Sequence, residues 1–228
     1  MEKPRLILWD IDMTLVNTGA AGRHALIRAI IEWFGGEGDL SGVEIAGRTD
    51  TSIARQILER YGKPVTTENV DAFLDRYVSL LPEELPKRNG RVLPGVRELL
   101  EDLARQPNTT LGLLTGNLER GAQLKLGHYD LWHFFPFGAF ADDDHDRNAL
   151  GPCAVRRAVA HAGCDFRPEQ VDVVGDTGHD IACGKAFGAR TIAVATGSWS
   201  RERLAQCEPD FLFDDLAKVD EVKRKLGW

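Results

Sequence analysis

The chain has 228 residues, of which 43% are hydrophobic, and a formal net charge of −7. That suffices for one or two globular domains, and the acidic balance leaves no basic stripe of the kind that neutralises nucleic-acid phosphates. No run approaches the roughly 20 apolar residues of a membrane span, and no apolar leader opens the chain. Cys153, Cys164, Cys183 and Cys207 form no Cys-x-x-Cys pair, which fits a reducing compartment, so the cytoplasm is the expected setting.

In chain order, the first element is a short apolar strand over 6–9 that ends on two carboxylates, Asp10 and Asp12. Helical periodicity follows over 23–34, 51–61 and 67–81, with no convincing strand between them. Gly62-Lys63-Pro64 closes the second of these helices, and Thr66-Thr67-Glu68-Asn69 carries an N-cap signal for the third. Pro94-Gly95 marks a return to alternation. Strands are predicted at 110–114, 137–140, 171–174, 191–194 and 211–213, with helices at 95–105, 118–126, 152–162, 180–187 and 216–226. Such alternation predicts an α/β fold, a doubly wound, Rossmann-like parallel sheet. Residues 1–18 and 88–228 form this core, and 19–87 an all-α cap inserted over the sheet's carboxyl edge.

Ligands of open α/β sheets bind beyond the carboxyl ends of the strands. Asp10 and Asp12 follow the first strand, Thr115-Gly116-Asn117 the second, and Gly175-Asp176-Thr177-Gly178-His179-Asp180 the strand at 171–174. Asp10 and Asp12 read either as solvated acids opening a loop or as a nucleophile beside an acid–base group facing a phosphoryl group. Four carboxylates in one cleft repel one another unless a cation neutralises them, and oxygen donors suit Mg²⁺. Asp180 lies one helical turn beyond Asp176, on the same face.

These residues give the chain a resemblance to the haloacid dehalogenase-like hydrolase superfamily, in its phosphoglycolate phosphatase-like branch with a helical cap. Asp10, Asp12, Thr14 and Leu15 match the first motif, Asp-x-Asp-x-Thr-Leu. Thr115 in Leu113-Leu114-Thr115-Gly116-Asn117 matches the second, and Gly175, Asp176 and Asp180 match the fourth. Two positions depart from the pattern. Met13 stands where the family most often has glycine, and the lysine of the third motif is missing. Arg147 is the first candidate to replace that lysine. Lys125 is the alternative, two helical turns beyond Asn117 and expected to face away.

The resemblance implies a phosphatase acting on a small phosphorylated metabolite. Asp10 is implied as the nucleophile that becomes an aspartyl phosphate, and Asp12 as general acid and then general base. Thr115, with Gly116 and Asn117, is implied in binding phosphoryl oxygens, and Arg147 in spreading their charge. Mg²⁺ is implied on Asp10, the main-chain carbonyl of Asp12 and Asp176, with Asp180 in support. Dehalogenases of the superfamily lack an acid at the position of Asp12, which favours phosphate chemistry. In the loop Ile45-Ala46-Gly47-Arg48-Thr49-Asp50-Thr51, Arg48 is a candidate substrate contact or an ordinary surface residue, with Thr49 or Asp50 as N-cap. His179 reads either as a ligand or proton shuttle or as the opening of a helix. A phosphomutase of the same fold and a catalytically silent phosphate-binding protein are the alternatives. A phosphonatase is disfavoured because Lys63, the main cap lysine, sits in a turn. No membrane or nucleic-acid partner is expected, and the chain is read as a monomer or homodimer.

Overall fold

The computed structural model describes residues 3–228. Its sheet strands are β1 (Arg5–Trp9), β4 (Thr109–Leu114), β5 (Gly138–Ala139), β6 (Val171–Gly175), β7 (Arg190–Val194) and β8 (Phe211–Phe213), with a two-residue ribbon formed by β2 (Val16–Asn17) and β3 (Arg91–Val92). The six-stranded sheet runs β5-β4-β1-β6-β7-β8, all parallel. β1 is therefore central, and the chain winds outward from it first through β4 and β5, then through β6, β7 and β8. This is the α/β class that the alternation predicts.

β1 explains its own position. Leu6, Ile7, Leu8 and Trp9 are fully buried, because successive side chains of a strand covered on both faces enter two different cores. Ile7 and Trp9 join one apolar cluster with α4 (Val96–Ala104) and α9 (Val219–Leu226). Leu6 and Leu8 join another with α6 (Arg147–Ala162) and α7 (Gly178–Ala186). α5 (Glu119–His128) and α8 (Arg201–Ala205) complete the core.

Residues 21–84 hold α1 (Ala21–Phe34), α2 (Asp50–Arg60) and α3 (Thr67–Glu84), packed around their own buried cluster of Ile30, Ile57, Phe73 and Leu80 among others. Thr49 and Thr66 cap α2 and α3 through their side chains, as those threonines at helix starts should. No helix among the described residues is long and apolar enough to cross a membrane.

Several boundaries differ from the sequence reading. β5 spans only two residues of the predicted 137–140. The helix predicted from Pro152 begins five residues earlier, at Arg147, because the Asp146 side chain accepts from Asn148 N at 3.0 Å and caps it. Pro152 lies inside that helix.

Phe73 is fully buried and meets Trp33 edge-on at 5.6 Å between ring centroids. Phe73→Ala is expected to cost about 3–5 kcal/mol, through lost burial and the cavity left behind. A urea unfolding curve monitored by circular dichroism measures this.

Candidate active site

The sharpest geometric fact is where three strands end. β1 stops at Trp9, β4 at Leu114 and β6 at Gly175, side by side in the sheet. Asp10, Thr115 and Asp176 are the next residues, so the order of the sheet alone brings them to one edge. One carboxylate oxygen from each of Asp10, Asp176 and Asp180 lies within 4.8 Å of the others, and all three residues are buried.

These carboxylates are held unequally. Arg147, the first residue of α6, donates through Nη2 to Asp10 Oδ1 at 2.8 Å and to Asp180 Oδ1. Asp180 Oδ2 accepts from Thr177 N at 3.0 Å and Thr177 Oγ1 at 2.6 Å, in the capping box of α7. Both oxygens of Asp180 are therefore engaged. Among the described residues, Asp176, only 4% exposed, has a single long side-chain contact, from Thr14 Oγ1 at 3.5 Å. Elsewhere in the core the buried Asp172 accepts from Arg190 Nε and Nη2 and from Trp228 Nε1 at 2.5–2.8 Å. The chain thus supplies a full donor set to a buried carboxylate in one place and withholds it at Asp176.

Electrostatics follow from that imbalance. Burial pushes the Asp10 carboxyl up to about 7, with Asp180 and Asp12 adding and Arg147 offsetting in part. Burial, then the Asp180 and Asp10 charges, push Asp176 well above the usual carboxylate range. Arg147 keeps its proton more tightly than usual: burial opposes its charge, but Asp180 and Asp10 outweigh that. A hard cation suits this set, since all donors are oxygens and, among the described residues, no cation pairs directly with Asp176, which Arg147 only partly offsets from a distance.

Asp12 is arranged differently. Its side chain is 40% exposed and lies outside the three-carboxylate cluster. Asp12 Oδ2 accepts from Asn117 Nδ2 at 2.9 Å and Lys125 Nζ at 2.6 Å. Lys125 Nζ also donates to Asn117 Oδ1 at 2.5 Å, and Asn117 Nδ2 to Thr115 Oγ1 at 2.9 Å. Lys125 therefore faces the site, against the expectation that it faces away. Met13 follows with φ of 61°, the left-handed region that explains why glycine is common there.

The helical block closes over these groups. Asp50 N donates to Gly116 O at 2.6 Å, Leu118 N to Asp50 Oδ2 at 2.9 Å, and Arg147 Nη1 to Gly47 O at 3.1 Å. A Cβ on Gly116 would stand 2.2 Å from the Arg48 carbonyl oxygen, so only glycine admits this approach. The result is a cavity of about 530 Å³ with Asp10, Asp12, Arg147 and Asp176 among its lining and Leu26, Ile53 and Tyr77 contributed by the helices above. Arg48 lines it too, but its guanidinium is held by Glu44, with Nε donating at 3.0 Å. His179, in the first turn of α7, lies edge-on to Trp199 and lines a neighbouring groove.

A family model described as haloacid dehalogenase-like hydrolase matches residues 7–194. The chain belongs to the haloacid dehalogenase-like hydrolases. It is 29% identical to the probable phosphatase IndB of Dickeya dadantii, over 94% of this chain and 91% of that one. It is 26% identical to a phosphoglycolate phosphatase of Haemophilus influenzae, over 94% and 96%. CbbY of Rhodobacter sphaeroides, solved in complex with phosphate, shares the fold with a TM-score of 0.74 at 17% identity, over 95% and 96%. The chain is an enzyme of this family, of its phosphatase kind.

Around this candidate site, sequence reasoning gave Lys125 the wrong direction, read Asp50 only as an N-cap candidate and missed Tyr77. One signal was available. Gly121, Ala122, Lys125 and Leu126 are the buried residues of α5; small and apolar residues at this spacing mark a helix's inner face, and Lys125 falls on it.

Asp50 is buried, and its carboxyl is pushed up to about 6, chiefly by burial, with Lys125 opposing. A carboxyl raised in the folded state contributes stability at low pH that is lost as pH rises through about 6. Asp50→Asn keeps an acceptor for Leu118 N and removes the charge. It is expected to leave stability unchanged near pH 4 and raise it by about 3 kcal/mol at pH 8. Urea unfolding at both pH values is the measurement.

Proposed function

We propose that the protein is a Mg²⁺-dependent phosphatase that hydrolyses a small phosphorylated metabolite through an aspartyl phosphate on Asp10. In this reading residues 1–18 and 88–228 are the catalytic core and 19–87 the cap. The observation that carries it is the pairing at the end of β1: a buried Asp10 against Arg147, and two residues on a half-exposed Asp12 facing the same cavity. The four cysteines are unpaired, and the enzyme acts in the cytoplasm as a monomer or homodimer.

Asp10 attacks phosphorus in line, forming a bond from its carboxylate oxygen as the bond to the leaving oxygen breaks. Asp12 gives its proton to that oxygen. In the second half Asp12 takes a proton from water as the water attacks the acyl phosphate, releasing phosphate and restoring Asp10. Thr115, Gly116 and Asn117 receive the phosphoryl oxygens, and Arg147 steadies the attacking carboxylate and the charge that develops beside it. Asp10, the main-chain carbonyl of Asp12 and Asp176 would hold Mg²⁺, with Asp180 orienting Arg147 and the start of α7; the metal supplies charge neutralisation to the transferring group. The apolar wall given by Leu26, Ile45 and Ile53 suits a compact organic body behind the phosphate.

Hydrolysis of p-nitrophenyl phosphate tests the reading. Turnover with Mg²⁺ is expected to stop in EDTA, return on adding Mg²⁺, and fall about 10⁴-fold or more in Asp10→Asn at matched circular dichroism. No turnover in the parent chain sinks the proposal. Arg48→Ala reports on the substrate's distal end. Release of Arg48 from Glu44 toward an anionic metabolite predicts a KM about tenfold higher with nearly unchanged kcat, whereas unchanged kinetics on the metabolite removes Arg48 from the site.

A further inference from the structure

We propose that Lys125 is the positioning residue of the acid–base carboxylate: with Asn117 it clamps one oxygen of Asp12, so that the other is the oxygen presented to the leaving group. The inference rests on the reading of Asp12 as general acid. Its geometry is specific. Lys125 Nζ, on a side chain only 4% exposed, reaches Asp12 Oδ2 at 2.6 Å and Asn117 Oδ1 at 2.5 Å, while Asn117 Nδ2 reaches the same Asp12 oxygen at 2.9 Å. The three groups close a triangle. An oxygen that already accepts two N–H donors has no room for a proton directed between them, so the transferable proton sits on Oδ1. Among the described residues Asp12 Oδ1 accepts no hydrogen bond. Asp12 has a short side chain in a half-exposed setting, and without the clamp its χ angles are free to turn away from the leaving oxygen.

Burying an ammonium is expensive, and a lysine serving only to pack α5 could be replaced by an apolar residue. The chain instead surrounds this ammonium with acceptors and covers it from the cap. A Cβ built on Gly22 of α1 would stand 3.6 Å from Lys125 Nζ and 3.4 Å from the Tyr77 hydroxyl of α3. Burial opposes the Lys125 charge, but Asp12, Tyr77 and Asp50 outweigh it, so the group stays cationic. The cover over Lys125 therefore comes from α1 and α3, and only with those helices seated is the clamp shielded from water. Arg147 serves a separate task, since its ion pairs are with Asp10 and Asp180.

In the step concerned, the bond from phosphorus to the ester oxygen breaks, the bond from Asp10 to phosphorus forms, and the proton on Asp12 Oδ1 passes to the departing oxygen. A good leaving group departs with little help from that proton, whereas a poor one depends on it. The test is kcat/KM for p-nitrophenyl phosphate and for phenyl phosphate, both with Mg²⁺, in the parent chain, Lys125→Met, Lys125→Gln and Asp12→Ala. Lys125→Met is expected to lose about ten- to a hundredfold on phenyl phosphate and under about threefold on p-nitrophenyl phosphate. Asp12→Ala should show the same selectivity, and the double variant should lose no more than Asp12→Ala alone. Equal losses on both esters, or no loss on either, overturn the proposal while leaving the phosphatase reading standing. Absence of turnover in the parent chain overturns both. Should neither Lys125 variant fold, Lys125→Arg, which keeps the cation but replaces its compact head by a planar fork, takes their place; the same selectivity supports the proposal, and its absence overturns it.

Discussion

Mutual repulsion among buried carboxylates is the constraint on which the rest of the molecule depends. Asp10, Asp176 and Asp180 crowd within 4.8 Å of one another at the carboxyl edge of the sheet. Two unit charges at 4 Å interact by about 4 kcal/mol even at an effective dielectric of 20. A fold whose whole stability is about 5–15 kcal/mol cannot leave three such charges unopposed. Arg147 answers part of that repulsion, and its placement dictates where α6 starts. Asp146 caps the helix so that the next side chain enters the cluster. The remainder falls on Asp176, which has almost no donors of its own among the described residues.

Positive charge is divided rather than pooled. Arg147 serves the buried acids and carries a planar, permanently charged head suited to two carboxylates at once. Lys125 serves the half-exposed acid and carries a compact ammonium suited to two single acceptors. Because Arg147 and Lys125 hold different carboxylates, neither Asp10 nor Asp12 has to compete for the other's partner. The helical block and its loop lie over both cations, with Gly22 and Tyr77 at Lys125 and Gly47 at Arg147.

Much of this was legible in the residues. The wholly apolar β1, the acids after it and the Thr115-Gly116-Asn117 and Gly175-to-Asp180 turns all carry strong local signals, because strand ends in a parallel sheet must meet at one edge. Arg147 was legible as a cation of the right region, though not as the first residue of its helix; Pro152 drew the boundary inward, and the Asp146 cap outweighed it. Lys125 was misread because a charged residue late in a surface-looking helix normally faces water. Its inward direction depends on Asp12 and Asn117, which are 113 and 8 residues away in sequence. Asp50 and Tyr77 acquire meaning only when helices from one segment settle on a helix from another. For Asp50 and Tyr77, no window along the chain contains that information.

The seating of the helical block has a consequence for how such an enzyme diversifies. Its loop meets the core largely through main-chain atoms: Asp50 N on Gly116 O, Gly47 O under Arg147, the Arg48 carbonyl against the bare Cα of Gly116, and threonine hydroxyls on the carbonyls of Ala141 and His145. Main-chain groups are present whatever the side chain. Ile45, Ile53 and Leu26 can therefore be exchanged without breaking the contacts that seat the helical block on the sheet's edge. The lining of the cavity and the carboxylates beneath it are thus free to change independently, with the main-chain contacts holding one in register over the other.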